Sequence, residues 1–219
     1  MVADSFGNLW VSHPYHGIFR ISLTDSIYNI KRYANENGVP ALLNNQVYLL
    51  NQEIVLATEN GIYKYARNTD MFIPHPQFEK TIGRKGTRYI NEDSNGNYWF
   101  VQDKTVGVIN APDNTITYLP ELANKILSGF EFILPLDEQN IFISGEKGIF
   151  HVNYLKYKEN IRPLKVEIRR LTVTNKNDSL IYGGFGKIGK PDSYSYKPSF
   201  GSNWKAIRIN YSSILFGQP

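Results

Sequence analysis

Apolar positions in the first 150 residues come in short runs: Leu9–Val11, Ile54–Ala57, Tyr98–Val101 and Ile141–Ile143. Each run is followed by a brief connection, a glycine and a second apolar segment. The glycine segments resemble one another: Gly17-Ile18-Phe19-Arg20-Ile21, Gly61-Ile62-Tyr63-Lys64-Tyr65, Gly107-Val108-Ile109 and Gly148-Ile149-Phe150-His151-Val152. Before two of the runs stands a longer repeat, Asp4-Ser5-Phe6-Gly7-Asn8-Leu9-Trp10 and Asp93-Ser94-Asn95-Gly96-Asn97-Tyr98-Trp99, identical at five of seven positions. In this segment glycine supplies the positive φ of a tight turn, and Asp or Asn bonds the turn's own backbone. Asn51-Gln52 and Asp137-Glu138-Gln139-Asn140 are poorer turns at the equivalent place. No stretch of residues 1–155 holds a capped 3.6-residue period, so the pattern predicts single helical turns at most, at Ala41–Leu43 and Leu122–Leu127.

The unit is turn, strand, connection, glycine, strand, recurring every 41 to 46 residues by its glycines, which is the period of a four-stranded propeller blade. Beyond about residue 160 the pattern changes. Val166–Asn175 alternates like a strand, a stretch rich in Gly, Ser and Pro runs from Gly183 to Ser202, and strand-like segments resume at Trp204–Tyr211 and Ser212–Pro219. The expected fold is all-β: a partial β-propeller of three to four blades of four antiparallel strands over residues 1–158, then part of an immunoglobulin-like β-sandwich over 159–219. The structural positions of the repeat are Asp4, Gly7, Asn8, Trp10, Gly17, Gly61, Asp93, Gly96, Asn97, Trp99, Gly107 and Gly148.

Composition narrows the function. The 14% aromatic share suits strands. The net charge of +4 is spread along the chain, and the densest basic pair, Arg169-Arg170, sits within a strand-like run. Nucleic-acid binding needs a concentrated patch, so it is not expected. With no cysteine there is neither a disulfide framework nor a thiolate metal site. No apolar run approaches 18 residues, and Met1-Val2-Ala3-Asp4 opens neither an n-region nor an h-region.

The string Asp-x-x-Gly-Asn-x-Trp followed by Gly-[Ile/Val] resembles the propeller repeats in the periplasmic sensor region of Bacteroides-type hybrid two-component regulators. The linker Tyr33–Pro40 through Val47–Leu50 and the tyrosine-rich segment after residue 160 are similar too, the latter to the opening half of the Y_Y_Y β-sandwich. The resemblance implies a periplasmic, non-catalytic fragment of a sensor histidine kinase that detects oligosaccharides from polysaccharide breakdown. It also implies that the parent protein carries more blades, a fuller sandwich and the membrane connection, and that strand edges left unpaired here associate with another copy. The alternatives are a propeller lyase or glycosidase, using His13, His16 or carboxylates that meet only in three dimensions, and a protein-binding scaffold.

Local chemistry offers few sites. His13, Tyr15 and His16 share the connection before Gly17 and suit metal binding or stacking on a sugar, though no third ligand lies at metal spacing. Arg84 and Arg88 suit a bidentate grip on a sulfate or uronate. Gly184–Lys190 fits seven positions of a phosphate-binding loop, but Pro191 stands where Ser or Thr is needed, so a plain loop is expected. Asn91-x-Asp93-x-Asn95-Gly96 approaches a calcium loop, but Gln102 replaces the bidentate Glu, and Phe6 interrupts the sister copy. Repetition of Trp10 and Trp99 at one repeat position points to packing rather than sugar stacking. No cofactor, metal or catalytic trio is expected.

Overall fold

A computed structural model describes residues 1–24, 27–41, 43–161, 166–183 and 201–213. The chain is all-β and divides into two compact units, Met1–Asn160 and Ile161–Pro219. The first unit holds four antiparallel meanders in chain order. The first comprises β1 (Val2–Ala3), β2 (Leu9–His13), β3 (Gly17–Thr24) and β4 (Ile27–Tyr33), and the second β5 (Gln46–Leu50), β6 (Glu53–Thr58), β7 (Gly61–Ala66) and β8 (Met71–Pro74). The third comprises β9 (Thr87–Glu92), β10 (Tyr98–Gln102), β11 (Thr105–Asn110) and β12 (Thr115–Leu119), and the fourth β13 (Ile133–Asp137), β14 (Asn140–Gly145) and β15 (Gly148–Val152). The second unit contains β16 (Val166–Thr174) flanked by β17 (Asp178–Gly183) and β18 (Ala206–Ser213). The phosphate-loop-like segment Gly184–Lys190 lies outside the described residues.

Three hydrophobic cores alternate with the sheets of the first unit. Trp10, Ile18 and Tyr33 meet Leu56 and Phe72 between the first and second meanders. Val55, Ala57 and Ile62 meet Ile90, Phe100 and Ile109 between the second and third. Trp99, Val101 and Val108 meet Ile133, Ile141 and Ile143 between the third and fourth. Strands β6 and β10 are therefore buried on both faces, which is why they read as continuous apolar runs rather than as alternation.

Register aligns the repeats. The central hairpins close on His13↔Gly17, Thr58↔Gly61, Gln102↔Thr105 and Gly145↔Gly148. Gly17, Gly61 and Gly148 have positive φ. The counterpart in the third meander is Thr105, so Gly107 is not the repeat glycine that the sequence suggests. It lies opposite Phe100, and an added Cβ would come within 2.4 Å of that ring. The residue is glycine to make room for an aromatic side chain. The Asp103-Lys104 turn of this hairpin and the Asn51-Gln52 turn both place two successive residues at positive φ, the backbone twist that two-residue hairpins favour.

A short helix, α1 (Pro76–Ile82), corrects the expectation of single turns only in residues 1–155, and a second, α2 (Tyr154–Asn160), begins where that stretch ends. Two turns are too few to show a period, but α1 carries its own punctuation. Pro76 stands in the first turn, Phe78 and Ile82 form one buried stripe, and Gly83 at φ 73° ends the helix.

Each Asp-Ser-x-Gly-Asn turn is organised by its aspartate. Asp4 Oδ1 accepts the amide N–H groups of Phe6 and Asn8, both at 2.9 Å, while Oδ2 accepts Asn8 Nδ2 at 2.8 Å and Trp10 Nε1 at 2.9 Å. Asp93 repeats the set with Asn95 N, Asn97 N, Asn97 Nδ2 and Trp99 Nε1, at 2.9 to 3.0 Å. Both indoles are fully buried, and the carboxylate satisfies the one polar group that each would otherwise bury without a partner. In the fourth meander Asp137 still gathers Gln139 N and Asn140 N, but no tryptophan follows.

A second cluster joins the first two meanders. Asp70, at φ 53° in the β7–β8 turn, accepts bonds from Tyr33 Oη (2.6 Å), Tyr65 Oη and Lys31 Nζ, and pairs with Arg20 at 3.2 Å. The Arg20 guanidinium lies 5.6 to 5.9 Å from the ring centres of Trp10, Tyr33 and Tyr65, within cation–π range. Burial works against the Asp70 charge, but the bonds from Lys31, Tyr33 and Tyr65 and the charge of Arg20 outweigh it, holding this carboxyl well below the ordinary range. Burial and the Asp70 bond push the Tyr33 phenol upward.

Asp93→Ala is expected to cost about 2–4 kcal/mol, since it removes four bonds and strands the Trp99 indole N–H; urea unfolding against Asp93→Asn measures it. A depressed carboxyl stabilises the fold at pH values above its unfolded value of about 4, and that stability is lost as pH falls toward the folded value. Asp70→Asn should therefore flatten the fall in melting temperature on acidification below about pH 4, as followed by circular dichroism.

Candidate ligand-binding face

The central hairpins and the connections between meanders gather at one end of the first unit, opposite the aspartate turns. Thr58 Oγ1 shapes the second hairpin, donating to Gly61 O at 2.7 Å and accepting Asn60 N–H at 3.0 Å. In the first hairpin His13 Nδ1 accepts the Tyr15 N–H at 3.1 Å, and the rings of His13 and His16 lie 4.4 Å apart. Tyr15 is 70% exposed. Pro14 O accepts the Asn44 N–H at 3.4 Å, Asn44 Nδ2 donates to Glu59 Oε1 at 3.3 Å, and Glu59 Oε1 pairs with Arg88 Nη2 at 2.7 Å. This chain of contacts brings the His13–His16 hairpin and Arg88 to one edge, across three meanders.

Arg84 does not join Arg88 in a free clamp. Its guanidinium is bonded to Glu79 at 2.6 Å, and that of Arg88 is occupied by Glu59. An anionic ligand would have to displace a carboxylate at each. Trp10 and Trp99 are enclosed between sheets with their indole N–H groups bonded, so neither offers a face to a ligand. The calcium-like loop is committed as well, because both oxygens of Asp93 already accept bonds from the turn and from Trp99. Among the described residues no three His, Asp or Glu side chains gather as a metal site.

The structure adds an aromatic arc that sequence reasoning missed. On the first strands of successive meanders Tyr48 and Tyr89 meet edge to face at 5.6 Å, and Tyr89 meets Phe132 at 6.3 Å. Tyr48 Oη donates to Arg88 O at 3.1 Å and Tyr89 Oη to Ile133 O at 2.9 Å, which fixes the arc to the Arg88 edge. Burial first, then Tyr89 and the charge of Glu131, push the Tyr48 phenol well above its ordinary value, so it stays a neutral donor. The connection ahead of β13 presents Phe130 and Phe132, 72% and 55% exposed. Ser144 Oγ braces it, donating to Phe130 O at 2.8 Å and accepting the Phe132 N–H at 2.9 Å. The available signal was a Phe-x-Phe pair in a polar connection. The exposed rings of Phe130 and Phe132, with Glu131 between them, suit a ligand with apolar C–H faces and hydroxyls.

His75 is a further residue that sequence reasoning passed over. Buried between the second and third meanders, it stands 3.4 Å from Glu53 and against Phe78. Desolvation lowers its pKa, with Glu53 opposing and Lys64 assisting. It begins the connection after β8, where its amide donates to Ile62 O at 2.9 Å, and its burial keeps it from a ligand.

No family model and no curated protein matches the chain. Solved structures do, among them three of extracellular domains from B. thetaiotaomicron. The first, from the protein described as hybrid two component system BT3049, superposes with a TM-score of 0.55 at 16% identity, covering 88% of this chain and 25% of that one. Two structures of BT4673, described as a one component and as a hybrid two component system, give TM-scores of 0.47 and 0.48 at 19% identity. They cover 82% and 80% of this chain, and 29% and 30% of theirs. The chain thus spans about a quarter of the length of the BT3049 domain. Across that quarter it shares the fold of the extracellular domain of a protein described as a hybrid two-component system.

Proposed function

We propose that this chain is a ligand-sensing part of the periplasmic region of a hybrid two-component sensor, and that it binds rather than transforms its ligand. In this reading residues 1–158 supply propeller blades and residues 159–219 the opening strands of a Y_Y_Y β-sandwich. The observation that carries it is the succession of three four-stranded meanders and one three-stranded meander packed face to face, in the fold of an extracellular domain of a protein described as a hybrid two-component system. The ligand class proposed is an oligosaccharide. Phe130, Phe132 and Tyr15 provide exposed rings for pyranose C–H faces, Glu131 lies between the two phenylalanines, and the Arg88–Glu59 pair offers further hydroxyl partners. His13 and His16 sit on the same edge. Arg84 contributes only to a ligand that outcompetes Glu79. Signalling follows from differential affinity, since a ligand can shift a receptor only by binding one state better than another.

A thermal-shift screen of the purified chain against plant and host oligosaccharides tests the proposal, because a ligand that prefers the folded state raises its melting temperature. For a hit, Phe132→Ala and Tyr15→Ala should each weaken binding by about tenfold, the equivalent of about 1.4 kcal/mol, with little change in the melting temperature of the free protein. Release of new reducing ends or unsaturated products from the hit would replace the sensor with an enzyme. Binding of a protein partner with every glycan silent would replace it with a scaffold.

A further inference from the structure

Of the four histidines in the chain only His75 is buried. It stands between the end of β8 at Pro74 and the start of α1 at Pro76. Its ring lies 4.4 Å from that of Phe78 on α1, which enters the core between the second and third meanders and meets Tyr98 edge to face at 5.1 Å. One ring nitrogen has a partner and the other has none. Nε2 is 3.4 Å from Glu53 Oε2, while Nδ1 is buried without a hydrogen bond. A neutral ring fits this site, with its proton on Nε2 and a bare lone pair at Nδ1. A second proton would have to sit on Nδ1, as a charged donor that is buried and unbonded.

The groups around the ring do not make up for that cost. Glu53 on β6 is half exposed and already pairs with Lys64 of β7 at 3.3 Å. From β10 comes the Tyr98 phenol, which burial and then Glu92 and Glu53 hold neutral, and Glu92 itself accepts the Asn51 amide at 2.7 Å. On α1, Glu79 is held by Arg84 at 2.6 Å and Lys80 is a cation. His75 also precedes the first turn of α1, whose free N–H groups carry partial positive charge. Desolvation thus outweighs the attraction of Glu53, and the imidazole is neutral at neutral pH.

We propose that His75 is a pH-sensitive latch: its neutral ring holds the start of α1 in the packing, and its protonation releases the helix and the loop that follows. The contacts at the other end of α1 set the reach of that release. Ile82 O accepts Gln102 Nε2 at 3.3 Å, and Gly83 lies so close to the β6–β7 hairpin that a Cβ on Gly61 would come within 3.1 Å of Gly83 O. From Gly83 the chain runs directly to Arg84 and Arg88, so α1 anchors the segment that carries both arginines. The ladders of the second and third meanders do not include it. Because the fold disfavours the charged ring, the stability it lends is fully present above the unfolded value of about 6.5 and is lost as pH falls below it. The proposal does not rest on the ligand reading.

Hydrogen exchange of the full chain from about pH 7.5 to about pH 5, corrected for the intrinsic pH dependence of amide exchange, tests the latch alongside an NMR titration of His75. The ring should titrate below its ordinary value of about 6.5, and protection of the α1 amides should fall by up to about tenfold per pH unit below that value. At every pH the α1 amides should be less protected than those of β6 and β10, as a local opening requires. His75→Gln keeps a donor toward Glu53 but takes up no proton, so its α1 protection should not respond to acid. The proposal is overturned by a ring that titrates at or above its ordinary value, by α1 protection that is constant across the range, or by α1 protection equal to that of β6 and β10. The same acid response in folded His75→Gln also overturns it. Should that variant fail to fold, the titration and exchange of the unmodified chain decide the matter.

Discussion

A small sheet that is apolar on both faces cannot persist alone in water, and the second and third meanders are of this kind. Their central strands are buried on both sides. The hydrophobic effect rewards any arrangement that removes both faces from solvent at once, and stacking similar sheets side by side achieves it with a short chain. The three cores are products of that one constraint. Interiors packed to crystal-like density allow little sliding, so stacking alone does not say how the register of each sheet is held.

Register is held at the aspartate end. Asp4 and Asp93 each bind two amides, an asparagine side chain and an indole, which locks the turn to the first large side chain of the strand that follows. In the third meander Asn97 Oδ1 adds a bond from the Ala111 N–H, tying this turn to the next one at the same end. Between the first two meanders Asp70 does comparable work through Arg20, Lys31 and two tyrosines. The ionic and indole bonds that fix alignment thus concentrate at one end.

How much of this could be read from the chain depended on whether a feature was local. The Asp–Trp turns were legible because cause and effect lie within seven residues. The second meander has neither Asp nor Trp at those positions, and there only the glycine after the hairpin revealed the period. That same landmark misled at Gly107, because glycine serves both for positive φ, as at Gly61, and for clearance, as against Phe100. Thr105, the true counterpart, carries no such mark. The His13–His16 hairpin was visible as a contiguous segment. The links Asn44–Glu59–Arg88 and Tyr48–Tyr89–Phe132 were not, since they join residues from different meanders and no spacing rule brings them together.

The division of labour between the two ends bears on how binding would be felt. At the aspartate end the side chains that determine alignment are buried or saturated with bonds. At the hairpin end exposed contacts, Asn44 to Glu59, Glu59 to Arg88, and the Lys104 and Lys125 carbonyls to the amides of Asn124 and Glu146, accompany buried ones such as Tyr89 to the Ile133 carbonyl. The Glu59–Arg88 pair, as an exposed ion pair, contributes little to stability, so rearranging it costs little. A ligand spanning several hairpins would thus meet soft contacts between modules and rigid sheets within them.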